Sequence, residues 1–311
     1  MKRDLISILD ITAAELDELL EQAGRLKRMR NEGKPHLYLP GKTLAMIFEK
    51  SSTRTRISFE VGMTDLGGTA LFLNAQDMQI GRGEEIRDTA RVASRYVSGV
   101  MIRAYRHATI EEFARYATIP VINGLSDMEH PCQILADVMT IREHFRDRKG
   151  LRVAWVGDGN NVCNSLILST ILTGMEINIA SPRGFEPPVQ VVDTARRKGS
   201  KVALVRNPEE AVKDAHVVAT DTWVSMGTEK EREARMQAFK GFTIDGRLMD
   251  LASSDAIFMH CLPAHRGQEV ADEVIEGRKS VVFDEAENRL HAQKALLVFL
   301  MHDDAVGQKR K

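Results

Sequence analysis

Short apolar runs alternate with longer amphipathic stretches along most of this chain. Ten runs have the length and composition of strands, at 44–48, 69–73, 100–102, 120–122, 152–156, 177–180, 202–205, 217–219, 257–259 and 281–283. Between most of them, apolar residues recur every three or four positions, which predicts helices. Alternating strands and helices are typical of parallel sheets covered on both faces. The pattern predicts an α/β protein with doubly wound parallel sheets.

The grouping of these elements indicates two domains. These strand candidates are too many for one small sheet, and the runs fall into two series separated near Lys149-Gly150. The stretch 130–145 just before this point has the spacing of a long helix, which we predict to bridge the domains 1–149 and 150–288. The segment Leu290–Met301 is strongly apolar and predicts a terminal helix.

Composition narrows the classes of partner. Among 311 residues, 43 Lys and Arg oppose 44 Asp and Glu, for a net charge of −1. Nucleic acid and anionic membranes both reward an excess of basic residues, and no apolar run reaches membrane-spanning length. Three widely spaced cysteines and no secretory signal argue against a disulfide framework. We therefore expect a cytoplasmic protein with small-molecule substrates and neither nucleic acid nor membrane as partner.

The segment Glu49–Arg56 is the most informative one for chemistry. It carries Ser51, Ser52, Thr53, Arg54, Thr55 and Arg56 and lies between the strand 44–48 and an apolar set compatible with a helix. A helix N-terminus offers free N–H donors and a positive dipole end, which together bind phosphate. The alternative is an ordinary helix cap with solvated arginines. The glycine-rich nucleotide loop is absent.

Other polar residues cluster where predicted strands end. Arg103 follows 100–102, His130-Pro131-Cys132-Gln133 opens the bridging helix, Asp221 follows 217–219, and His260-Cys261-Leu262-Pro263 ends 257–259. Ligands of open α/β sheets lie outside the carboxyl ends of the strands. Each residue alone is more often structural, but together they predict a cleft between the two domains.

Two cofactor classes fit the sequence poorly. Gly157-Asp158-Gly159-Asn160-Asn161 lacks the third glycine of the dinucleotide motif, and no acidic residue ends the next strand, which argues against a nicotinamide. The asparagines could instead cap the following helix or bind a ligand. The cysteines have no metal-pair spacing, and His260 and Cys261 should point to opposite sides of a strand. Cys261 is thus either a buried small hydrophobe or a ligand contact.

Several of these motifs together resemble the ornithine carbamoyltransferases. They are Ser52-Thr53-Arg54-Thr55, His130-Pro131-Cys132-Gln133, Asp221 with Ser225-Met226-Gly227, and His260-Cys261-Leu262-Pro263, in that order over essentially the whole chain. The first two are shared with aspartate carbamoyltransferases, and the last two mark the ornithine branch. The resemblance implies transfer of a carbamoyl group from carbamoyl phosphate to ornithine, giving citrulline and phosphate, as in arginine biosynthesis, with no metal or organic cofactor.

The resemblance also implies roles for individual residues. Catalytic candidates are Arg54, Arg103, His130 and Cys261. Carbamoyl phosphate would be bound by Ser52, Thr53, Arg54, Thr55, Gln79, Arg103, His130, Pro131, Cys132, Gln133, Cys261, Leu262 and Arg289, with Gln79 reaching across a subunit boundary. Ornithine would be bound by Asn161, Asp221, Ser225 and Met226. Whether Cys261 takes a proton from the attacking amine or acts only electrostatically is left open.

The family further implies a homotrimer or a multiple of trimers, and a C-terminal helix, 289–311, that returns to the first domain. Two alternatives remain at this stage: a relative that uses another amine such as putrescine, and a relative without catalytic activity. Ser225-Met226-Gly227 favours ornithine, since a diamine has no α-carboxylate to bind. Intact Arg54 and His130 argue against loss of activity.

Overall fold

The computed structural model describes residues 2–145, 150–224 and 231–302. The chain divides into two compact units, residues 1–136 with 287–311 and residues 137–286. Each unit contains one sheet whose strands are all parallel. The predicted α/β fold with two parallel, helix-covered sheets is confirmed. The predicted domain limits, 1–149 and 150–288, stay a prediction.

The first unit is built on a four-stranded sheet. Its strands are β1 (Thr43–Phe48), β2 (Thr69–Asn74), β3 (Gly99–Arg103) and β4 (Val121–Leu125), in the order β2-β1-β3-β4. Its helices are α1 (Ala13–Asn31), α2 (Thr53–Asp65), α3 (Ile86–Tyr96), α4 (His107–Tyr116) and the first residues of α5 (Pro131–His144). The capping box of Thr12 and Glu15 starts α1, as such sequences favour.

The second unit is built on a five-stranded sheet. Its strands are β5 (Arg152–Val156), β6 (Glu176–Ala180), β7 (Val202–Val205), β8 (Val217–Thr220) and β9 (Ile257–His260), in the order β7-β6-β5-β8-β9. Its helices are α6 (Asn161–Thr173), α7 (Val189–Arg197), α8 (Pro208–Val212), α9 (Arg232–Ala238), α10 (Gly246–Met249) and α11 (Asp272–Ile275). The last helix, α12 (Val282–Met301), contributes its residues from Glu287 onward to the first unit.

Central strands are buried on both faces, which explains why they read as continuous apolar runs rather than alternating ones. Every residue of the central strands β3 and β8 is buried, whereas β2 at an edge has no fully buried residue. The core of the second unit gathers Ala154, Val156, Val218 and Phe258 from neighbouring strands. The sheets are therefore rigid supports for the loops at their ends.

One predicted strand is wrong. Residues 281–283 do not form a strand: α12 begins at Val282, and the Glu285 N–H already donates to the Val281 carbonyl at 2.9 Å. A three-residue apolar run cannot distinguish a strand from the first turn of a buried helix. Asp284 and Glu285 carry the signal that was missed, because acidic residues favour a helix first turn. Of the predicted helix 289–311, residues 303–311 lie outside the described ranges.

Strand order fixes where ligands can bind in each unit. In the first sheet the chain winds in opposite directions from β1 and β3, which are neighbours, and in the second from β5 and β8. Ligands of such sheets bind at the carboxyl ends of these two strands, where the following loops diverge. The two places are the loop after β1 with Arg103, and the loop after β5 with Asp221.

Candidate active site

The loop after β1 ends in an open helix N-terminus. Ser52 caps α2, with its Oγ accepting from the Thr55 N–H at 3.2 Å. Thr53 is exposed and Arg54 half-buried, while Thr55 is 1% exposed. The first-turn N–H groups and the helix dipole make this end attractive to an anion. The predicted phosphate segment thus has the local structure that phosphate binding requires.

Buried arginines from distant parts of the first unit converge on the same turn. Arg289 of α12 donates from Nη2 to Thr55 Oγ1 at 3.1 Å and from Nη1 to Gln133 Oε1 at 2.7 Å. Arg103 at the end of β3 places Nη1 3.5 Å from the same Thr55 oxygen. The structure therefore brings together Thr55, Arg103, Gln133 and Arg289 around the N-terminus of α2.

His130 lies next to this arginine cluster and is uncharged. Burial lowers the pKa of His130 well below its ordinary value, and the positive charges of Arg289, Arg103 and Arg54 lower it further. A neutral imidazole can donate one hydrogen bond and accept another. Pro131 follows at the first position of α5, where a missing N–H costs nothing. Burial likewise raises the pKa of the Cys132 thiol to about 12, so Cys132 is neutral here.

Gln79 stands apart from the other predicted residues of the first unit. It begins a short 3-10 helix, Gln79–Arg82, and is exposed. Within the described ranges its side chain makes no hydrogen bond to the arginine cluster. The structure of one chain therefore does not bring Gln79 into the site that Arg54 and Arg289 form.

In the second unit, the Asp221 carboxylate accepts hydrogen bonds from the polar groups around it. It follows β8 and is buried, and its Oδ2 accepts from Asn160 Nδ2 at 2.7 Å. Its Oδ1 accepts from the Thr222 N–H at 2.7 Å and from Cys261 Sγ at 3.2 Å. These donors fix the carboxylate in one orientation. A carboxylate held this way is suited to bind an ammonium group.

The glycine loop after β5 holds Asn160 against Asp221. The Asn160 Oδ1 accepts from the Val162 and Cys163 N–H groups and so caps α6, which leaves its Nδ2 for Asp221. At Gly159, a Cβ would lie 2.1 Å from the Pro187 nitrogen, so no other residue fits. Gly159 thus serves close backbone packing. Of the two roles considered for the asparagines, capping applies to Asn160, and its amide donates to Asp221; ligand binding by the asparagines stays a prediction.

Cys261 is a thiol and not a thiolate in this environment. Burial raises its pKa well above the ordinary value, and the negative charges of Asp221, Glu285 and Asp137 raise it further. The thiol is the hydrogen-bond donor to Asp221. This arrangement keeps a proton on the Cys261 sulfur at neutral pH. Of the two roles considered for Cys261, it favours the electrostatic one over proton acceptance.

The expectation that His260 and Cys261 point to opposite sides is wrong. Asp221, His260 and Cys261 each place one possible ligand atom within 4.8 Å of the others. Strand alternation fails because β9 ends at His260 and Leu262 has a φ of 56°. The group does not offer a metal site, since the two His260 ring nitrogens are engaged by the Leu262 N–H and by Glu269.

Two predicted ornithine residues, Ser225 and Met226, lie outside the described ranges. Asn161 begins α6 and is half-buried. Its Oδ1 lies 3.1 Å from the Val162 nitrogen. Sequence reasoning placed His260 in a motif with Cys261 but did not single out Glu269; both side chains are fully buried. A glutamate within ten positions of the histidine that ends the strand was a signal in the sequence, but a weak one.

The chain is similar to known proteins over nearly its whole length. Residues 3–143 match the family model described as the carbamoyl-P binding domain of aspartate/ornithine carbamoyltransferase, and residues 149–300 match its Asp/Orn binding domain. An ornithine carbamoyltransferase of Methanoculleus marisnigri is 65% identical over 301 residues, which is 97% of both chains. One of Archaeoglobus fulgidus is 56% identical over 299 residues, or 96% of this chain and 97% of the relative.

Solved structures of ornithine carbamoyltransferases are also similar to this chain. An ornithine carbamoyltransferase from Pyrococcus furiosus superposes with a TM-score of 0.93 at 53% identity, covering 97% of this chain and 98% of that one. An anabolic ornithine carbamoyltransferase from Campylobacter jejuni gives 0.90 at 45% identity, covering 96% and 99%.

Proposed function

The chain belongs to the aspartate/ornithine carbamoyltransferase family, and we propose that it transfers the carbamoyl group of carbamoyl phosphate to the side-chain amine of L-ornithine. The products are L-citrulline and phosphate. The observation that carries the proposal is the convergence of Arg103, Arg289 and the α2 N-terminus on Thr55 in the first unit. The motifs of the ornithine branch and the relatives named above support the choice of amine.

The first unit is suited to carbamoyl phosphate. The phosphate dianion is bound by the N–H groups and hydroxyls of Ser52, Thr53 and Thr55 together with Arg54. Charge-assisted hydrogen bonds of this kind are about twice as strong as neutral ones. Arg103, neutral His130 and Gln133 face the carbamoyl group, with Arg289 holding Gln133 in place. Fixed donors at the carbonyl oxygen stabilise the oxyanion of the tetrahedral intermediate.

The second unit is suited to ornithine. Asp221, oriented by Asn160 and the Thr222 N–H, pairs with an ammonium group. Asn161, Ser225 and Met226 are proposed to bind the amino-acid end of the substrate, and Cys261 and Leu262 border the reacting amine. A diamine such as putrescine lacks the carboxylate that this set would recognise.

The reaction needs no metal and no covalent enzyme intermediate. The neutral side-chain amine attacks the carbonyl carbon, a C–N bond forms, and the carbonyl electrons move to oxygen. Collapse of this intermediate breaks the C–O bond to phosphate, and the proton lost by nitrogen leaves on the phosphate as HPO4²⁻. Rate enhancement then comes from positioning the substrates and from fixed positive charge at the carbonyl oxygen and at the phosphate oxygens.

A citrulline assay tests the proposal and the role of Arg54 together. Wild type should form citrulline from ornithine and carbamoyl phosphate, and no carbamoylated product from putrescine at equal concentration. Arg54→Gln should lower kcat/KM for carbamoyl phosphate roughly ten- to a hundred-fold, since a charged hydrogen bond contributes about 1.5–3 kcal/mol.

The matched control is Arg91→Gln, on an exposed face of α3 where the side chain pairs only with Asp88 among carboxylates of the described residues. It should keep the wild-type constants, because exposed pairs contribute little. Wild-type kinetics in a folded Arg54→Gln protein would exclude Arg54 from the phosphate site. Equal turnover of putrescine would contradict ornithine as the amine.

We propose further that the working form is a homotrimer or a multiple of trimers. The edge strand β2 and the neighbouring α2 expose Leu71, Phe72 and Ile57, at 44%, 39% and 54%. Exposed apolar side chains at an open strand edge are typical of a surface that another chain covers. Gln79, exposed just after this strand, is then available to a neighbouring subunit.

The remaining expectations concern the cellular setting. We propose a cytoplasmic protein of arginine biosynthesis; the three free cysteines are compatible with a reducing compartment. No helix in the described ranges combines the length and apolar character needed to cross a bilayer. No cofactor is required by the chemistry proposed above.

A further inference from the structure

A buried carboxylate–imidazole pair lies directly behind Cys261. His260 ends β9, and its Nε2 lies 3.2 Å from Glu269 Oε1; both side chains are fully buried. Glu269 Oε1 also accepts from the His265 N–H at 2.6 Å. These hydrogen bonds outweigh burial and lower the pKa of Glu269, so its carboxylate is ionised. The reaction described above uses neither His260 nor Glu269.

The other side of the imidazole holds the backbone. Leu262 donates its N–H to His260 Nδ1 at 2.9 Å. Because Nδ1 must accept, the ring proton is on Nε2 and points to Glu269. A carboxylate that fixes a histidine tautomer in this way orients whatever the second nitrogen binds. Here it orients the peptide between Cys261 and Leu262.

That peptide has an unfavourable conformation. Leu262 has a φ of 56°, in the left-handed region that is unfavourable for a non-glycine residue. Such a conformation persists only where its surroundings fix it. The Leu262 N–H bond to His260 spans Cys261, whose sulfur faces Asp221 at 3.2 Å. Holding Leu262 therefore also holds the Cys261 thiol against the Asp221 carboxylate.

We propose that His260 and Glu269 are positioning residues that hold the Leu262 turn, and through it the surface that binds the ornithine amine. This inference rests on the proposed function. Neither residue touches substrate, since both are fully buried. The imidazole acts by accepting from the Leu262 N–H, and the carboxylate acts by keeping the proton on the opposite nitrogen.

Two amide substitutions at His260 separate the two halves of the pair. In His260→Asn, Oδ1 occupies the region of Nδ1 and can accept from Leu262, but nothing reaches Glu269. In His260→Gln, the amide nitrogen can reach Glu269, but nothing accepts from Leu262. We expect His260→Gln to raise KM for ornithine at least ten-fold with KM for carbamoyl phosphate unchanged. His260→Asn should keep KM for ornithine within about three-fold while melting at a lower temperature.

Controls keep the test decisive. His144→Gln, at an exposed position of α5, should match wild type in both constants. If neither His260 variant folds, Glu269→Gln keeps the volume and removes the charge, and it should raise KM for ornithine three- to ten-fold with KM for carbamoyl phosphate unchanged. Wild-type constants in Glu269→Gln would then overturn the inference.

The outcomes for the inference and for the proposed function differ. Normal ornithine kinetics in a folded His260→Gln protein, or equal losses in the Asn and Gln variants that affect both substrates, would overturn the positioning role alone. Wild-type protein that forms no citrulline from ornithine would overturn the proposed function and this inference with it.

Discussion

At the scale of single residues, Cys261 is where the structure changes the expected chemistry. An accessible thiolate could take the proton of the attacking amine, since an ordinary thiol pKa of about 8.5 lies near neutrality. Here burial and the nearby carboxylates raise the pKa of Cys261 well above that value. The thiol therefore stays protonated over the pH range in which the enzyme would work, and we expect it to donate to Asp221 rather than to accept a proton.

The pH dependence of the reaction should come from the substrate. The side-chain amine of ornithine has a lysine-like pKa of about 10.4, so the neutral fraction grows about ten-fold per pH unit below that value. The value of kcat/KM for ornithine should climb from pH 6.5 to 9. Cys261→Ser should follow the same curve at a lower level, because a hydroxyl also donates to Asp221 and also does not titrate in this range.

Measuring kcat/KM for ornithine from pH 6.5 to 9.5 in both proteins tests this assignment. The carbamoyl phosphate constants serve as the control, since that site lies in the first unit. A slope that is steeper in wild type than in Cys261→Ser below pH 8–9 and equal to it above would show that the thiol ionises and accepts the proton of the amine.

The motifs named the candidate site residues but not their hydrogen-bond partners. The Arg289–Thr55 contact joins residues 234 positions apart, and Asn160–Asp221 joins residues 61 apart. No local pattern contains such pairs, because they depend on which strands become neighbours. Local rules failed at His260-Cys261, where the strand ends one residue earlier than alternation requires. The sequence thus grouped His260 with Cys261 in a motif but did not predict its hydrogen bonds to Glu269 and to the Leu262 N–H.

At the scale of elements, α12 connects the end of the chain to the phosphate loop. Its Arg289 bonds Thr55 in the first turn of α2, and its Lys294 Nζ lies 3.0 Å from Asp65 Oδ2 at the last residue of α2. Lys294 also lies 3.0 Å from His36 Nε2 and is fully buried. The two contacts fix α12 along the whole length of α2, so Lys294 should matter for the stability of this arrangement.

Removing the Lys294 charge should destabilise the first unit. Lys294→Met keeps most of the volume but leaves the Asp65 carboxylate with Arg30 and with His36, whose Nε2 lies 3.9 Å away. Breaking a buried pair by removing one partner costs about 3–5 kcal/mol; the remaining Arg30 contact should reduce this to roughly 2 kcal/mol. A fall of several degrees in the melting temperature is expected.

The control for Lys294 is a surface pair of the same type. Lys201 pairs with Glu176 at a site where the lysine side chain is 77% exposed, and such pairs contribute at most about 1 kcal/mol. Lys201→Met should therefore melt close to wild type in a thermal scan. Equal melting temperatures for the two variants would contradict a stabilising role for the buried Lys294–Asp65 pair.

At the scale of the whole molecule, the sequence predicted the α/β fold with two parallel sheets, while the domain limits stay a prediction. Continuous apolar runs such as Thr43–Phe48 predicted buried parallel strands because both faces of such strands are covered. The division between compact units falls inside α5 and inside α12. A helix has the same amphipathic pattern on each side of such a point, so the sequence does not mark it. The run 281–283 was assigned to a strand because three apolar residues do not distinguish a strand from the first turn of a buried helix.

Oligomeric assembly is the property of the whole molecule that decides whether one chain can be active. Gln79 is exposed, and within the described ranges it makes no hydrogen bond to Arg54, Arg103 or Arg289. If a neighbouring subunit supplies Gln79, then Gln79→Ala and Arg54→Gln chains should each be nearly inactive alone and active when mixed. In an equal random mixture of a cyclic trimer, about one quarter of the sites would combine two intact halves.

This expectation can be measured by dissociating the two variants, mixing them, reassembling them and assaying citrulline formation. Recovery of roughly a quarter of wild-type activity is expected from random pairing in a closed ring. The control mixes each variant with a chain that carries both substitutions, in which no site can combine intact Arg54 with intact Gln79. Subunit exchange is checked with tagged chains, because activity can return only where both kinds of subunit share an interface. Mixed oligomers that form but regain no activity above this control would show that each chain supplies its own Gln79, and the exposed β2 edge would then need another explanation than a shared site.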